Sequence, residues 1–134
     1  MSEMYTERLL EHYRQPRNRG RLEAGTGPGE VRSAEEYNPL CGDRVTIDAR
    51  VVDGQVTEAR FEGRGCALCL GAASILTETI EGRGLDALEG LDRAAFLAEL
   101  QSEPRPARLK CALLPWIAFR RAVFGQDEVD LDQI

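Results

Sequence analysis

The feature that most constrains this chain is a change of apolar period at Gly65-Cys66. Upstream, Val45, Ile47, Ala49 and Val51 alternate through RVTIDARVV, the pattern of a half-buried strand. Asp53-Gly54 follows, a preferred pair for a tight hairpin turn, so QVTEARFEG is the expected partner strand. Downstream, Leu68, Ala72, Ile75, Leu76 and Thr79 recur at helical spacing, and Cys69, Ala73 and Ile80 make the neighbouring face apolar too. This predicts a buried helix that ends near Gly82.

The remaining elements follow from caps and breakers. Ser2 is a candidate cap for a first helix carrying Met4, Leu9, Leu10 and Tyr13, which Pro16 stops. RNRGRLEAGTGPGE is rich in glycine and charge and reads as a mobile loop, and GTGPGE lacks the Gly-Lys-Ser/Thr of a phosphate loop. A strand at residues 30–36 is weakly signalled, with only Val31 and Ala34 apolar. Asp92 is placed to cap a short helix through RAAFLAELQ. A last helix is predicted over residues 107–124, kinked or split by Pro115. Helix, antiparallel strands, then helices is the order of an α+β fold, a small antiparallel sheet packed against helices. No linker or repeat divides residues 1–134, so one domain is expected, with a flexible amino-terminal segment and an acidic, solvated tail in GQDEVDLDQI.

Seventeen lysines and arginines against 23 acidic residues give a net charge of -6, which argues against a general binder of nucleic acid or anionic membrane. MSEMYTERLLEHY lacks the apolar core of a signal peptide and no stretch is long and apolar enough to span a membrane, so a cytoplasmic protein is expected. In that reducing setting the four cysteines read as reactive or metal-binding rather than as disulfides. The run Arg14, Arg17, Arg19, Arg21 reads as a solvated face that is also able to meet an acidic partner.

In NPLCGD a thiol and a carboxylate, Cys41 and Asp43, flank one glycine just before the strong strand. Two residues apart in extended chain, they point to one side. Cys66 lies where sheet turns to helix, at a helix amino terminus that stabilises a thiolate, and Cys111 lies in the first turns of the last helix. Gly63 and Gly65 leave the backbone near Cys66 open to a bound ion. Three thiolates and a carboxylate form a four-donor set suited to zinc or iron, although the cysteine intervals match neither a zinc finger nor a ribbon. Cys69, three residues after Cys66, is read as a buried packing thiol or a spare one near the metal. His12, the one histidine, is read as a packing residue.

NPLCGD, GRGCALCLGAAS and RLKCALLPW, with the opening YTERLLEHYRQPRNRG, together resemble the iron-sulfur cluster assembly scaffolds of the IscU, SufU and NifU amino-terminal type. The resemblance spans nearly the whole chain. It implies that Cys41, Asp43, Cys66 and Cys111 hold a transient [2Fe-2S] cluster or Zn2+ at an exposed edge. It also implies a cysteine desulfurase that delivers persulfide sulfur, with Cys41 and Cys111 as candidate acceptors, and apo iron-sulfur proteins or carriers as recipients. Two copies sharing a cluster are compatible with it. Lys110 stands before Cys111 where IscU proteins have histidine, as in SufU, and EPRPARLK lacks the Leu-Pro-Pro-Val-Lys stretch by which IscU proteins engage an Hsp70 chaperone. The interval from Cys66 to Cys111 is short as in IscU, without the SufU insertion. A cluster scaffold is the expected function, a zinc-dependent sulfurtransferase of the SufU kind the main rival, and a purely structural zinc module the third reading.

Overall fold

A computed structural model describes residues 5–125. The order is α1 (Glu7–Arg14), β1 (Glu30–Asn38), β2 (Asp43–Val52), β3 (Gln55–Arg64), α2 (Ala67–Ile80), α3 (Leu85–Glu89), α4 (Arg93–Leu100), a 3-10 turn (Pro106–Arg108) and α5 (Leu109–Phe124). The strands form one antiparallel sheet in the order β1-β2-β3. The α+β expectation holds. Val45, Ile47, Ala49 and Phe61 face α2 and α5 in a core that also takes Leu68, Ile75, Leu76, Leu113 and Phe119.

The β2-β3 hairpin turns on Asp53 (φ 51) and Gly54 (φ 76), the left-handed pair that a two-residue turn of this type requires. α2 is buried on nearly every side, and Gly71 is where α1 crosses it: a Cβ there would lie 2.8 Å from the Leu9 carbonyl oxygen. Asp92 caps α4 as expected, its carboxylate accepting from the Ala95 N–H at 2.8 Å. The cap of α1 is Thr6, whose hydroxyl accepts from the Leu9 N–H at 3.2 Å; Ser2 lies outside the described residues, as do residues 126–134 of the acidic tail. Pro115 does not split α5, which runs unbroken through it. What the proline removes is the backbone donor that the Cys111 carbonyl would otherwise receive.

Residues 17–28 depart most from expectation, because they are pinned to the sheet. The Asn18 carbonyl accepts from the Phe61 N–H at 2.9 Å and the Gly20 N–H donates to the Phe61 carbonyl at 2.7 Å, covering part of the free edge of β3. The fully buried Asp48 carboxylate accepts from Arg21 Nε at 2.7 Å, the Leu22 N–H at 3.0 Å and the Ser33 hydroxyl at 2.5 Å. Burial pushes the Asp48 carboxyl up, but these hydrogen bonds outweigh it and hold the group below its usual value. Arg50 reaches the Pro28 and Glu23 carbonyls at 3.2 and 3.3 Å. The second face of β2 at Asp48 and Arg50 is therefore covered by this segment rather than by water, while Arg44 at the start of the strand stays exposed. Of the four arginines, Arg14, Arg19 and Arg21 are exposed and Arg17 half-buried, with Arg17 paired to Glu11 at 2.6 Å and Arg21 to Asp48.

His12 is buried in the α1-α2 contact, with Nδ1 2.8 Å from the Ser74 hydroxyl and Nε2 3.7 Å from Glu78. The Ser74 oxygen already accepts from the Arg17 N–H at 2.8 Å, so its own hydrogen is available to a neutral imidazole. Burial, reinforced by the Arg17 charge, lowers the His12 pKa below 6.5, against the opposing pull of Glu78. The unfolded chain then takes up a proton that the folded chain resists. Stability is full above pH 6.5 and falls as the pH drops through that value towards the folded pKa. Denaturant unfolding of the metal-free protein at pH 7.5 and 5.5 should show a larger loss for the wild type than for His12→Gln; equal losses would mean that His12 is not the titrating group.

Candidate metal and sulfur site

The NPLCGD loop is shaped by Asn38. Its side-chain carbonyl accepts from the Leu40 N–H at 3.1 Å and its backbone carbonyl from the Gly42 N–H at 2.8 Å, closing a tight turn over Pro39. Gly42 has φ +77, a conformation that a side chain at this position would strain. The turn leaves Cys41 exposed and puts Asp43 at the first position of β2, 5% exposed, on the same side of the strand as Val45.

Cys66 is the N-cap residue of α2 and is half-buried; Cys111 is the third residue of α5 and only 2% exposed. The donor atoms of Cys41, Asp43 and Cys111 all lie within 4.8 Å of one another, and the two sulfurs are 3.6 Å apart. Cys66 is not part of that compact trio but adjoins it, its thiol donating to Asp43 Oδ2 at 3.5 Å. The four predicted donors, from a loop, a strand end and two helix starts, thus meet at one end of the sheet. Burial first, then the contact with Cys41, pushes the Cys111 thiol up. All four cysteines are free thiols.

Three soft sulfurs and one hard oxygen match the chemistry of a site for zinc or for iron with sulfide, where thiolates bind strongly and the carboxylate exchanges more readily. Cys69 does not join them. It is fully buried in the core, and burial followed by the Asp43 charge raises its thiol well above the usual value, so it behaves as a small apolar side chain. His12 also lies apart, bonded to Ser74.

Two features of the site escape the sequence reading. The space over Gly65, expected to admit an ion, is taken by the Asp43 carboxyl: a Cβ there would lie 3.0 Å from Asp43 Cγ and 3.1 Å from Oδ1. Arg108, on the turn before α5, sits against Cys66 and donates to the Tyr5 hydroxyl at 3.4 Å. The electrostatic pull of the neighbouring Cys66 sulfur is the main cause that raises the Arg108 pKa above its usual value. The position of Arg108 one helical turn before Cys111 was the available signal.

The NifU-like N terminal domain family matches residues 4–128. The chain is 32% identical to the iron-sulfur cluster assembly scaffold protein IscU 1 of Archaeoglobus fulgidus, over 90% of this chain and 74% of that protein. It is 29% identical to the zinc-dependent sulfurtransferase SufU of Bacillus subtilis, over 92% of each. The crystal structure of a NifU-like protein (N-terminal) from Brucella abortus superposes with a TM-score of 0.71 at 24% identity, over 95% of this chain and 96% of that one, a likeness of fold. Among the described residues no helix is long and apolar enough to cross a membrane. On the family match across most of its length, this chain belongs to the NifU-like N-terminal domain family, with the IscU and SufU proteins of iron-sulfur cluster assembly.

Proposed function

We propose that this chain is a sulfur acceptor and scaffold: it takes sulfane sulfur from a cysteine desulfurase, combines it with iron into a [2Fe-2S] cluster as an external electron donor reduces that sulfur to sulfide, and gives the cluster to apo iron-sulfur proteins or carriers. Cys41, Asp43, Cys66 and Cys111 hold the cluster as cargo. The observation that carries this reading is the convergence of Cys41, Asp43 and Cys111 within 4.8 Å, with Cys66 against Asp43. A purely structural zinc module fits less well, because structural sites favour cysteine and histidine over a carboxylate.

Of the two candidate acceptors, exposure favours Cys41, since an incoming protein-bound persulfide reaches an exposed sulfur and not one that is 2% exposed. The Cys41 thiolate attacks the terminal sulfur of the donor persulfide. The donor S–S bond breaks, the donor cysteine leaves as a thiolate, and Cys41 carries S–SH, with no net oxidation. The nearby Cys111 and Asp43 then supply donors for iron brought to that sulfur.

Two sequence observations favour a second reading. Lys110 before Cys111 and 29% identity over 92% of each chain link this protein to the zinc-dependent sulfurtransferase of Bacillus subtilis. In that role the same four side chains hold Zn2+ as a resident ion, which keeps its thiolate ligands deprotonated. Cys41, the exposed ligand, remains the residue that meets the donor.

The test is desulfurase activity with this protein as acceptor, the zinc-loaded and iron-reconstituted forms run side by side with metal content quantified. For a scaffold, zinc blocks sulfur acceptance, and the iron form builds a cluster that an apo-ferredoxin takes up. Acceleration by the zinc form, abolished by chelation, would replace the scaffold reading with the sulfurtransferase.

A further inference from the structure

On the outer face of the sheet, strand register sets Tyr37, Arg44 and Arg64 in one row across β1, β2 and β3. Arg44 and Arg64 are directly opposed, a like-charge pairing that destabilises a sheet. Among the described residues little relieves it. Arg44 has Glu35 at 3.8 Å, both side chains more than half exposed, and lies over the Tyr37 ring at 5.4 Å. Arg64 and Arg19 have no ion pair among the described residues. Together with Arg21 these arginines rim an open hollow of about 360 Å³ that also includes Glu35 and Glu62. Such a cluster stands out in a chain of net charge -6.

Its position ties it to the thiols. Arg44 directly follows Asp43, Arg64 lies two residues before Cys66, and Leu40, 80% exposed, adjoins Cys41. We infer that this arginine row is the docking surface for the sulfur donor, which meets it with an acidic patch beside its own reactive cysteine, Leu40 adding an apolar contact at the rim. The inference rests on the sulfur-acceptor reading above. Carboxylates placed between the two guanidiniums accept charge-assisted, forked hydrogen bonds and remove the repulsion that the free chain carries. The same field steers encounter so that Cys41 approaches the donor in register.

Arg64→Glu separates this role from a structural one, because it turns the repelling cross-strand pair into an attracting one. Binding of the full chain to the cysteine desulfurase, followed by biolayer interferometry at low and high NaCl, should weaken at least tenfold at low salt in R64E. The variant should also lose most of the salt dependence of the wild type, while its Tm stays equal or rises and its metal content is unchanged. Equal affinity of variant and wild type at low salt would overturn the inference. So would Arg64-dependent binding to heparin with none to the desulfurase, which would make the occupant a polyanion. Failure of the underlying reading has a different signature: wild-type chain that binds the desulfurase but receives no sulfur at any salt concentration.

Discussion

Cys41→Ser is expected to reduce sulfur transfer from the cysteine desulfurase by about a hundredfold, equivalent to roughly 2.7 kcal/mol of barrier, whereas Cys111→Ser should still accept sulfur on Cys41. The difference follows from placement. Both sulfurs belong to the same cluster of donors, 3.6 Å apart, yet Cys41 stands on the exposed turn formed by Asn38 and Gly42 while Cys111 is enclosed by the start of α5. A serine hydroxyl is a far weaker nucleophile than a thiolate and forms no stable counterpart of a persulfide. Intact mass after brief exposure to desulfurase and cysteine should show one added sulfur in the wild type and in Cys111→Ser, and none in Cys41→Ser. Peptide mapping that places the sulfur on Cys111 in the wild type would reverse the assignment. The substitution falls on an exposed turn, so a Tm close to wild type in the metal-free form would show that the loss is chemical.

What the sequence makes legible follows the physics of each element. The β2-β3 hairpin is readable because Val45, Ile47, Ala49 and Val51 alternate along β2 and its turn is Asp53-Gly54, whereas a register shift at Arg50/Val51 breaks the alternation on β3 between Val56 and Ala59. β1 is faint because its inward side carries Arg32, Ala34 and Glu36, whose charged members are satisfied at the end of α5: Arg32 by the Val123 carbonyl at 2.7 Å, Glu36 by Arg121. No periodicity scale counts a salt bridge to a helix far along the chain as burial. The segment 17–28 looks mobile for the same reason, since its anchors are Asp48 and Arg50, residues that alternation assigns to solvent. Pro115 suggests a break, but the tertiary contacts of α5, including Trp116 Nε1 to the Leu91 carbonyl at 2.9 Å, hold the helix through it. At the site, residue types and order pointed to the four donors. Their arrangement, with Cys66 a step outside the compact trio and Arg108 beside it, depends on how helix starts meet a strand end.

That dependence makes Gly63 the position where fold and site fail together. It pairs with Val45 across β2 and β3, and a Cβ there would lie 2.2 Å from the Arg44 carbonyl oxygen and 3.0 Å from Val45 Cα. Both atoms are backbone, so no rotamer change makes room and the strands must part. Gly63→Ala should destabilise the protein by about 3 kcal/mol, a fall in Tm on the order of 10 °C for a chain of this size. The parting occurs one residue from Asp43 on β2 and three before Cys66 on β3, so zinc or iron retention should fall as well. Gly65→Ala provides the contrast. Its Cβ would meet the Asp43 carboxyl, a side chain that rotates away, so Tm should stay near wild type while metal retention drops. Thermal unfolding of both metal-free variants, with metal content measured after reloading, separates the two effects. A Gly63→Ala protein that melts with the wild type would mean that the hairpin end yields without parting its strands, and the positioning of Asp43 would then have to come from the Asn38 turn alone.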